Sequence, residues 1–192
     1  MHIVLASSSP RRRELLVQLG IDPTIIAADI DETPRTDEAA RTYVQRLAVE
    51  KRDAIAAPAE ALVIAADTTV AIDGALLGKP ADDHEVRSHL RLLSGREHDV
   101  FTGLAIRHGE RIAAGVTGTQ VRFAALPEAQ IEWYLSTGEP FGKAGSYAIQ
   151  GAGGALVTSI EGPFDNVIGL PRRFLIDLAA TIDVDLLAIA AH

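Results

Sequence analysis

The sequence predicts a mixed α/β protein in which helices flank a central sheet. Short apolar runs with strand composition alternate with segments that carry apolar residues at helical spacing. Clusters of Gly, Pro and Asp separate these segments, and neither a tandem repeat nor a low-complexity stretch interrupts them. The chain has 192 residues, of which 47% are hydrophobic, enough to bury a full core in one domain or in two lobes around a cleft.

The first elements are a strand, a hydroxyl-rich turn and a helix. Residues 2–6 form the apolar run, Ser7 to Ser9 form the turn, and Pro10 begins a helix that ends near Gly20. A helix start offers free backbone N–H groups and a partial positive charge, which suit a phosphate. The alternative is an ordinary serine cap and a solvated basic turn. We favour the phosphate site because the arginines at 11–13 lie where the helix dipole disfavours positive charge.

A second strand and a long helix follow. The strand is predicted at 24–28 and is broken at Asp31-Glu32-Thr33-Pro34. The helix is predicted from about Asp37 to Ala57, with an apolar stripe formed by Ala40, Val44, Leu47 and Ala48. Lys51 continues this stripe, so its ammonium either snorkels along the edge of the core or points into a cleft.

The next apolar run, 61–72, contains a single carboxylate, Asp67. Aspartate is unfavourable in strands and costly to bury without a partner. One interpretation is a turn in which Asp67 and Thr68 cap a strand end. We favour a functional interpretation, in which this carboxylate lies at a strand terminus beside two threonines and holds a metal ion or activates water.

The remaining elements alternate in the same way. Asp73-Gly74 is typical of a hairpin turn, and Gly78-Lys79-Pro80 places a lysine on a rigid loop. Residues 143–154 are rich in glycine but lack the strand and helix context of a dinucleotide-binding fingerprint. The other predicted elements are a helix at 82–93, strands at 99–107 and 111–123, a short helix at 127–137 and a last helix at 170–182.

Composition excludes several classes of function. The net charge of −8 argues against sequence-independent binding to nucleic acid, which requires many cationic contacts to phosphates. The chain has no cysteine, so it has no disulfide framework and no thiolate site. We find no secretory leader and no apolar stretch of the roughly 20 residues that span a bilayer. The sequence therefore predicts a cytoplasmic protein without a membrane or nucleic-acid partner.

The histidines do not form a site in the sequence. They lack the spacing of metal ligands, and no serine lies in a nucleophile elbow, which disfavours a zinc-histidine enzyme and a Ser-His-Asp hydrolase. The remaining set of arginines, lysines and carboxylates at element ends suits phosphoryl chemistry assisted by a divalent cation. The six histidines are His2, His84, His89, His98, His108 and His192.

Short motifs run in order along nearly the whole chain, and together they resemble the Maf family of nucleoside triphosphate pyrophosphatases. The motifs are Leu5-Ala6-Ser7-Ser8-Ser9-Pro10-Arg11-Arg12, Asp31-Glu32, Lys51, Ala66-Asp67-Thr68, Gly78-Lys79-Pro80, Leu93-Ser94-Gly95-Arg96, Lys143-Ala144-Gly145, Ile149-Gln150-Gly151, Asn166-Val167 and Gly169-Leu170-Pro171. The resemblance implies that residues 1–192 form a single domain with an elongated mixed sheet in two lobes around a cleft, similar to inosine triphosphate pyrophosphatase. It also implies cleavage between the α and β phosphates, with a divalent metal cation (Mg, Mn or Co) as cofactor.

The resemblance also implies roles for individual residues. Asp67 corresponds to the catalytic proton acceptor, and Glu32 and Asp67 correspond to metal ligands. The positions that set base preference are Arg11, Thr68 and Gln150. The positions that bind phosphate are Ser7, Arg12, Lys51, Lys79 and Lys143.

The base-preference residues resemble those of the dTTP/UTP-directed branch of the family. The branch directed to 7-methyl-GTP has a bulky aromatic residue after the opening Ser-Pro and lacks the Thr68 and Gln150 pair. This chain departs from the usual pattern at Gly142, where the family has Asp, and at Ala148, where it has Gly. Both departures lie beside the expected base pocket, so they bear on specificity more than on the reaction.

Three functions remain as alternatives. The first is a housecleaning enzyme whose partner is a pyrimidine or non-canonical nucleoside triphosphate. The second is a regulatory binding protein that inhibits septum formation in cell division, which the resemblance also implies. The third is a nonspecific phosphatase. The oligomeric state stays open, with a homodimer as one alternative.

Overall fold

A seven-stranded mixed sheet with flanking helices organises the chain, as predicted. The computed structural model describes residues 1–190. Ala191 and His192, the last of the six histidines, lie outside the described residues. The strands are β1 (Ile3–Leu5), β2 (Thr24–Ile25), β3 (Leu62–Ile72), β4 (Ala75–Leu77), β5 (Glu97–His108), β6 (Arg111–Phe123) and β7 (Val157–Glu161). The helices are α1 (Pro10–Val17), α2 (Ala40–Asp53), α3 (Asp83–Leu93), α4 (Glu128–Ser136), α5 (Phe164–Ile168), α6 (Arg172–Ala180) and α7 (Leu186–Ala190).

The sheet has the strand order β2-β1-β3-β5-β6-β7, with β4 paired to β3. β1 runs parallel to β2 and β3, whereas β4 runs antiparallel to β3 and β7 antiparallel to β6. The hairpin between β3 and β4 turns at Asp73 and Gly74, whose φ angles are 51° and 80°. These positive angles are those of the tight turn that the sequence predicts. In the described part of the chain, every helix is too short or too polar to cross a membrane.

Contacts within the chain divide it into two compact units. Unit 1 comprises Met1–Asp67, Thr102–Thr117 and Gly169–His192, and unit 2 comprises Thr68–Phe101 and Gly118–Ile168. The strands β3, β5 and β6 contribute residues to both units. Each unit has its own buried apolar cluster, the first built on β1 and β3 and the second on α3, β6 and α4. The predicted cleft stays a prediction.

Helix α2 packs closely on the sheet within unit 1. A side chain at Gly103 of β5 would place its Cβ 2.2 Å from the backbone oxygen of Val44, so only glycine permits this approach. Val44, Leu47 and Ala48 are fully buried, which confirms the predicted stripe at these three positions, whereas Ala40 at the helix start is partly exposed. Lys51 on the same face is therefore carried toward β3.

Several predicted boundaries are wrong. Helix α2 begins at Ala40 and not near Asp37, because Asp37 has a φ of 54°, which no α-helix contains. The strand predicted at 24–28 has only two residues. Strand β7 was not predicted at all, because its residues are mostly exposed and it forms by pairing with β6 at the sheet edge.

Candidate active site

The turn before α1 is held by its own hydroxyls. Pro10 is the first residue of the helix, as predicted, and the side chain of Ser9 accepts a hydrogen bond from the Arg12 N–H at 3.4 Å. The buried Ser7 Oγ accepts from the Ser9 N–H at 3.2 Å and from the Arg12 guanidinium at 3.1 Å. Arg12 Nε also donates to the Gly169 carbonyl at 2.9 Å. Ser7 and Arg12 thus fix each other at the start of the helix.

The three arginines of this turn do not share one environment. Burial lowers the pKa of Arg12, the negative charge of Asp67 opposes this effect, and the neighbouring Arg11 adds to it. The charges of Asp67 and Arg11 therefore both act on the Arg12 guanidinium. Arg13 is different, because it is exposed and pairs with Asp22 at 2.7 Å. The structure leaves Arg11 and Arg12 as the candidates for phosphate contact.

Lys51 is the centre of the charged cluster. Its Nζ lies 2.6 Å from Asp67 Oδ1 and 2.7 Å from Glu32 Oε1. Only 9% of the Lys51 side chain and 10% of the Asp67 side chain are exposed. The ammonium does not snorkel to solvent, so that alternative is wrong. Its two carboxylate partners neutralise a charge that would otherwise be costly to bury.

Asp67 lies in the middle of β3, which continues to Ile72. The alternative in which Asp67 and Thr68 cap a strand end is therefore wrong, and so is the expectation that Asp67 lies at a strand terminus. The sequence predicts that a buried aspartate needs a partner, and Lys51 from α2 provides it. This pair positions a carboxylate inside a strand, where the backbone holds it rigidly.

The loop that carries Glu32 is anchored to α2. Tyr43 donates a hydrogen bond to the Glu32 carbonyl at 2.9 Å, and Arg46 donates to the Thr33 carbonyl at 3.2 Å. Asp31 caps the same turn by accepting from the Thr33 N–H at 2.9 Å. Burial, together with the charges of Asp67 and Glu32, raises the pKa of Tyr43 to about 12, so the phenol remains a donor at neutral pH.

Tyr43 and Arg46 are not among the predicted site residues. Tyr43 precedes Lys51 by eight residues, or about two helical turns, so both face the acidic loop. Arg46 pairs with Glu38 at 2.7 Å and with Glu50 at 3.1 Å. Glu38, Arg46 and Glu50 follow Asp31-Glu32 in the chain and are separated by eight and four residues. This spacing of opposite charges was the signal in the sequence that could have identified Arg46.

We expect the Arg46 contact to make stability depend on acid pH. The hydrogen bond from Arg46 lowers the pKa of Glu38 from 4.5 to about 2. A lowered pKa stabilises the fold above about pH 4.5, and this contribution is lost as the pH falls toward about 2. Urea unfolding at a series of pH values should show a smaller loss of stability below pH 4.5 in Glu38→Gln than in wild type. The matched control is Glu60→Gln at an exposed position, which should keep the pH dependence of wild type. If Glu38→Gln also kept the pH dependence of wild type, this assignment would be wrong.

The two carboxylates on Lys51 are of the kind that a hard divalent cation binds. Glu32 and Asp67 each place a carboxylate oxygen in contact with the Lys51 ammonium. Within residues 1–190, no group of three or more His, Cys, Asp or Glu side chains is arranged to hold a metal. Mg²⁺ is commonly held by one or two carboxylates together with substrate phosphates and waters. Two carboxylates therefore fit such an ion.

The predicted residues of unit 2 lie on two linked loops and on β3. Lys79 is exposed on the loop after β4, and Lys143 Nζ donates to the Glu139 carbonyl at 2.6 Å. The Gly145 N–H donates to the Gly78 carbonyl at 3.1 Å, which joins the two lysine loops. Gln150 is exposed and Thr68 is partly exposed.

The structure brings together one part of the predicted site in unit 1. These residues are Ser7, Arg11, Arg12, Glu32, Lys51 and Asp67. It joins the Lys79 and Lys143 loops in unit 2. That both groups face one bound nucleotide stays a prediction.

Comparison with known proteins gives consistent matches. A sequence model of the Maf-like protein family matches residues 2–182. The chain is 55% identical over 172 residues to the dTTP/UTP pyrophosphatase of Myxococcus xanthus, a match that covers 88% of this chain and 86% of that protein. It is 46% identical over 192 residues to the dTTP/UTP pyrophosphatase of Cereibacter sphaeroides, with 100% of both chains covered.

Solved structures show a weaker similarity. The Ham1 protein of Staphylococcus aureus aligns with 65% of this chain and 73% of its own length, at 16% identity and a TM-score of 0.48. The assignment to a family therefore rests on the sequence matches.

Proposed function

Because the chain belongs to the Maf-like protein family, we propose that it is a nucleoside triphosphate pyrophosphatase that hydrolyses dTTP and UTP. The products are the nucleoside monophosphate and pyrophosphate. The names of the relatives support the substrate class. The observation that carries the chemistry is the buried Asp67 carboxylate on the Lys51 ammonium, beside the start of α1.

Asp67 accepts the proton of the attacking water in this proposal. The water oxygen forms a bond to the α-phosphorus, and the bond from that phosphorus to the bridging oxygen breaks, so pyrophosphate leaves. Lys51 orients the Asp67 carboxylate and compensates its charge, because its Nζ lies 2.6 Å from Oδ1. The contact holds the carboxylate in one orientation, and a general base must be held within reach of the proton that it removes.

Arg11, Arg12 and Ser7 bind the phosphates. Guanidinium groups match phosphate oxygens in geometry and charge, and the N-terminus of α1 adds backbone donors. The Ser7 hydroxyl already accepts two hydrogen bonds, so its own proton is directed to a further acceptor. Lys79 and Lys143, which lie in unit 2, correspond to further phosphate-binding positions of the family.

Glu32 and Asp67 would hold a divalent cation in the working enzyme. The ion would neutralise phosphate charge and promote attack by water. The acidic loop matters for this reason, since Tyr43 and Arg46 hold the backbone carbonyls of Glu32 and Thr33. A cytoplasmic location and free nucleotides as substrates complete the proposal, supported by the absence of cysteine and the acidic charge.

Arg11, Thr68 and Gln150 set the base preference. A glutamine amide carries both a donor and an acceptor, which match the imide edge of uracil and thymine. Sites built from such hydrogen bonds reject a base that leaves their groups without partners. This reasoning favours pyrimidine triphosphates over 7-methyl-GTP.

A panel of nucleoside triphosphates assayed for released pyrophosphate and orthophosphate tests the proposal. We expect pyrophosphate as the product and a higher kcat/KM for dTTP and UTP than for 7-methyl-GTP. Gln150→Ala should reduce this preference about tenfold, the effect of about 1.4 kcal/mol of lost hydrogen bonding. Its stability should stay close to that of the exposed control Gln120→Ala.

Two outcomes would overturn parts of the proposal. Orthophosphate as the first product would indicate a nonspecific phosphatase. Equal or better turnover of 7-methyl-GTP would reject the assignment to the pyrimidine branch. The departures at Gly142 and Ala148 would then be the first positions to exchange.

A further inference from the structure

The carboxylate of Glu139 is the anchor of the glycine-rich loop that carries Gln150. Its Oε1 accepts a hydrogen bond from the Gly153 N–H at 2.9 Å, and its Oε2 accepts from the Ala152 N–H at 3.0 Å. The Tyr134 hydroxyl donates to Oε1 at 2.8 Å. Two N–H groups of the loop and the Tyr134 hydroxyl therefore all donate to the Glu139 side chain, which lies outside the loop.

Tyr134 holds the other side of the same loop. Its ring is fully buried in α4, and its hydroxyl oxygen accepts from the Ala148 N–H at 3.0 Å. Ala148 and Ala152 lie two residues on either side of Gln150, which is exposed. The loop is thus held by hydrogen bonds on both sides of the exposed Gln150.

The glycines of the loop show how closely it wraps around this pair. A Cβ at Gly151 would lie 1.9 Å from Oε2 of Glu139. A Cβ at Gly153 would lie 2.7 Å from the Tyr134 hydroxyl oxygen. Real Cβ atoms do not approach so closely, so the loop packs against Glu139 and Tyr134 at a distance that only glycine permits at 151 and 153.

Glu139 is also connected to a phosphate-binding candidate. Its backbone carbonyl accepts from Lys143 Nζ at 2.6 Å. Burial raises the pKa of the Glu139 carboxyl, but the bonds from Gly153 and Tyr134 outweigh this effect and lower it. The side chain is therefore an anion at neutral pH, and its hydrogen bonds are charge-assisted.

We propose that Tyr134 and Glu139 are positioning residues that set the base preference of the enzyme by holding the Gln150 loop, without contacting the nucleotide. This inference rests on the proposed function, because it requires Gln150 to read the base. Neither residue belongs to the set that the sequence identifies. The alternative is that the pair supports the fold alone.

A double-mutant cycle with dTTP and 7-methyl-GTP separates these possibilities. Glu139→Gln places an N–H₂ group against backbone donors, and Tyr134→Phe removes the hydroxyl while keeping the buried ring. Each should lower the ratio of kcat/KM for dTTP to that for 7-methyl-GTP about tenfold, through KM, with kcat changed by less than about threefold. In the Gln150→Ala background, the same changes should alter the ratio by less than about twofold.

The control is Glu132→Gln, an exposed carboxylate on α4 that pairs with Arg87, which should leave the ratio unchanged. If Tyr134 and Glu139 only support the fold, their variants should lower turnover of both substrates equally, or change the ratio by the same factor with and without Gln150. Either result overturns the inference. Tyr134→Phe carries the test by itself if Glu139→Gln does not fold. If wild type shows no preference for dTTP, the proposed function fails together with this inference. If the wild-type preference is present and both variants retain it, only the inference fails.

Discussion

Asp67→Asn is expected to remove nearly all turnover while leaving the chain folded. The change keeps the size of the side chain and deletes the negative charge that deprotonates the attacking water. A positioned general base contributes roughly 10²–10⁴-fold, so we expect kcat to fall by at least about a hundredfold. The fold should persist because Lys51 keeps its second carboxylate, Glu32, at 2.7 Å.

The measurement is pyrophosphate release from dTTP at saturating substrate, together with urea unfolding of both proteins. Asp99→Asn is the matched control, because it changes an exposed aspartate in a strand, β5. If Asp67→Asn retained more than about a tenth of the wild-type kcat, the loss would be below about 1.4 kcal/mol. Asp67 would then be neither the principal base nor a principal metal ligand.

Removal of divalent cations is expected to abolish activity, and added Mg²⁺, Mn²⁺ or Co²⁺ is expected to restore it. Glu32 and Asp67, which both contact the Lys51 ammonium, would supply carboxylate oxygens to such an ion, and a triphosphate would supply further oxygens. A cation held by few protein ligands is removed readily by EDTA. Glu32→Gln should therefore raise the Mg²⁺ concentration needed for half-maximal activity.

The experiment titrates Mg²⁺ into chelated enzyme and follows pyrophosphate release. EDTA that has been saturated with Mg²⁺ is the control, and it should leave the activity unchanged. Full activity in exhaustively chelated enzyme would reject the metal-assisted mechanism. An unchanged Mg²⁺ requirement in Glu32→Gln would remove Glu32 from the candidate ligands and leave the mechanism standing.

Local signals in the sequence were sufficient for many elements. Pro10 begins α1 because its fixed φ suits the first helical position, and Asp73 with Gly74 forms the hairpin because both adopt positive φ. The strands β5 and β6 also lie close to their predicted ranges. These features depend on residues within a few positions of one another.

The charged residues of the site were visible as conflicts with their surroundings. Asp67 interrupts an apolar strand and Lys51 continues an apolar helical stripe, so each required an explanation. That they explain each other, with Glu32 as a third member, follows only from the packing of α2 against the sheet. The further assignment of roles came from the family motifs and not from spacing.

The sequence by itself determined the alternation of strands and helices, the hydroxyl-rich turn that starts α1 at Pro10 and the identity of the central carboxylate, because propensity, capping and burial patterns act over short distances. The tertiary structure alone decided where α2 begins, that β7 pairs with β6, and that Tyr43 and Glu139 hold the loops of the site. These features depend on hydrogen bonds and contacts between separated elements. Such contacts leave no periodic pattern in the chain, since any polar residue at the right place in space can make them.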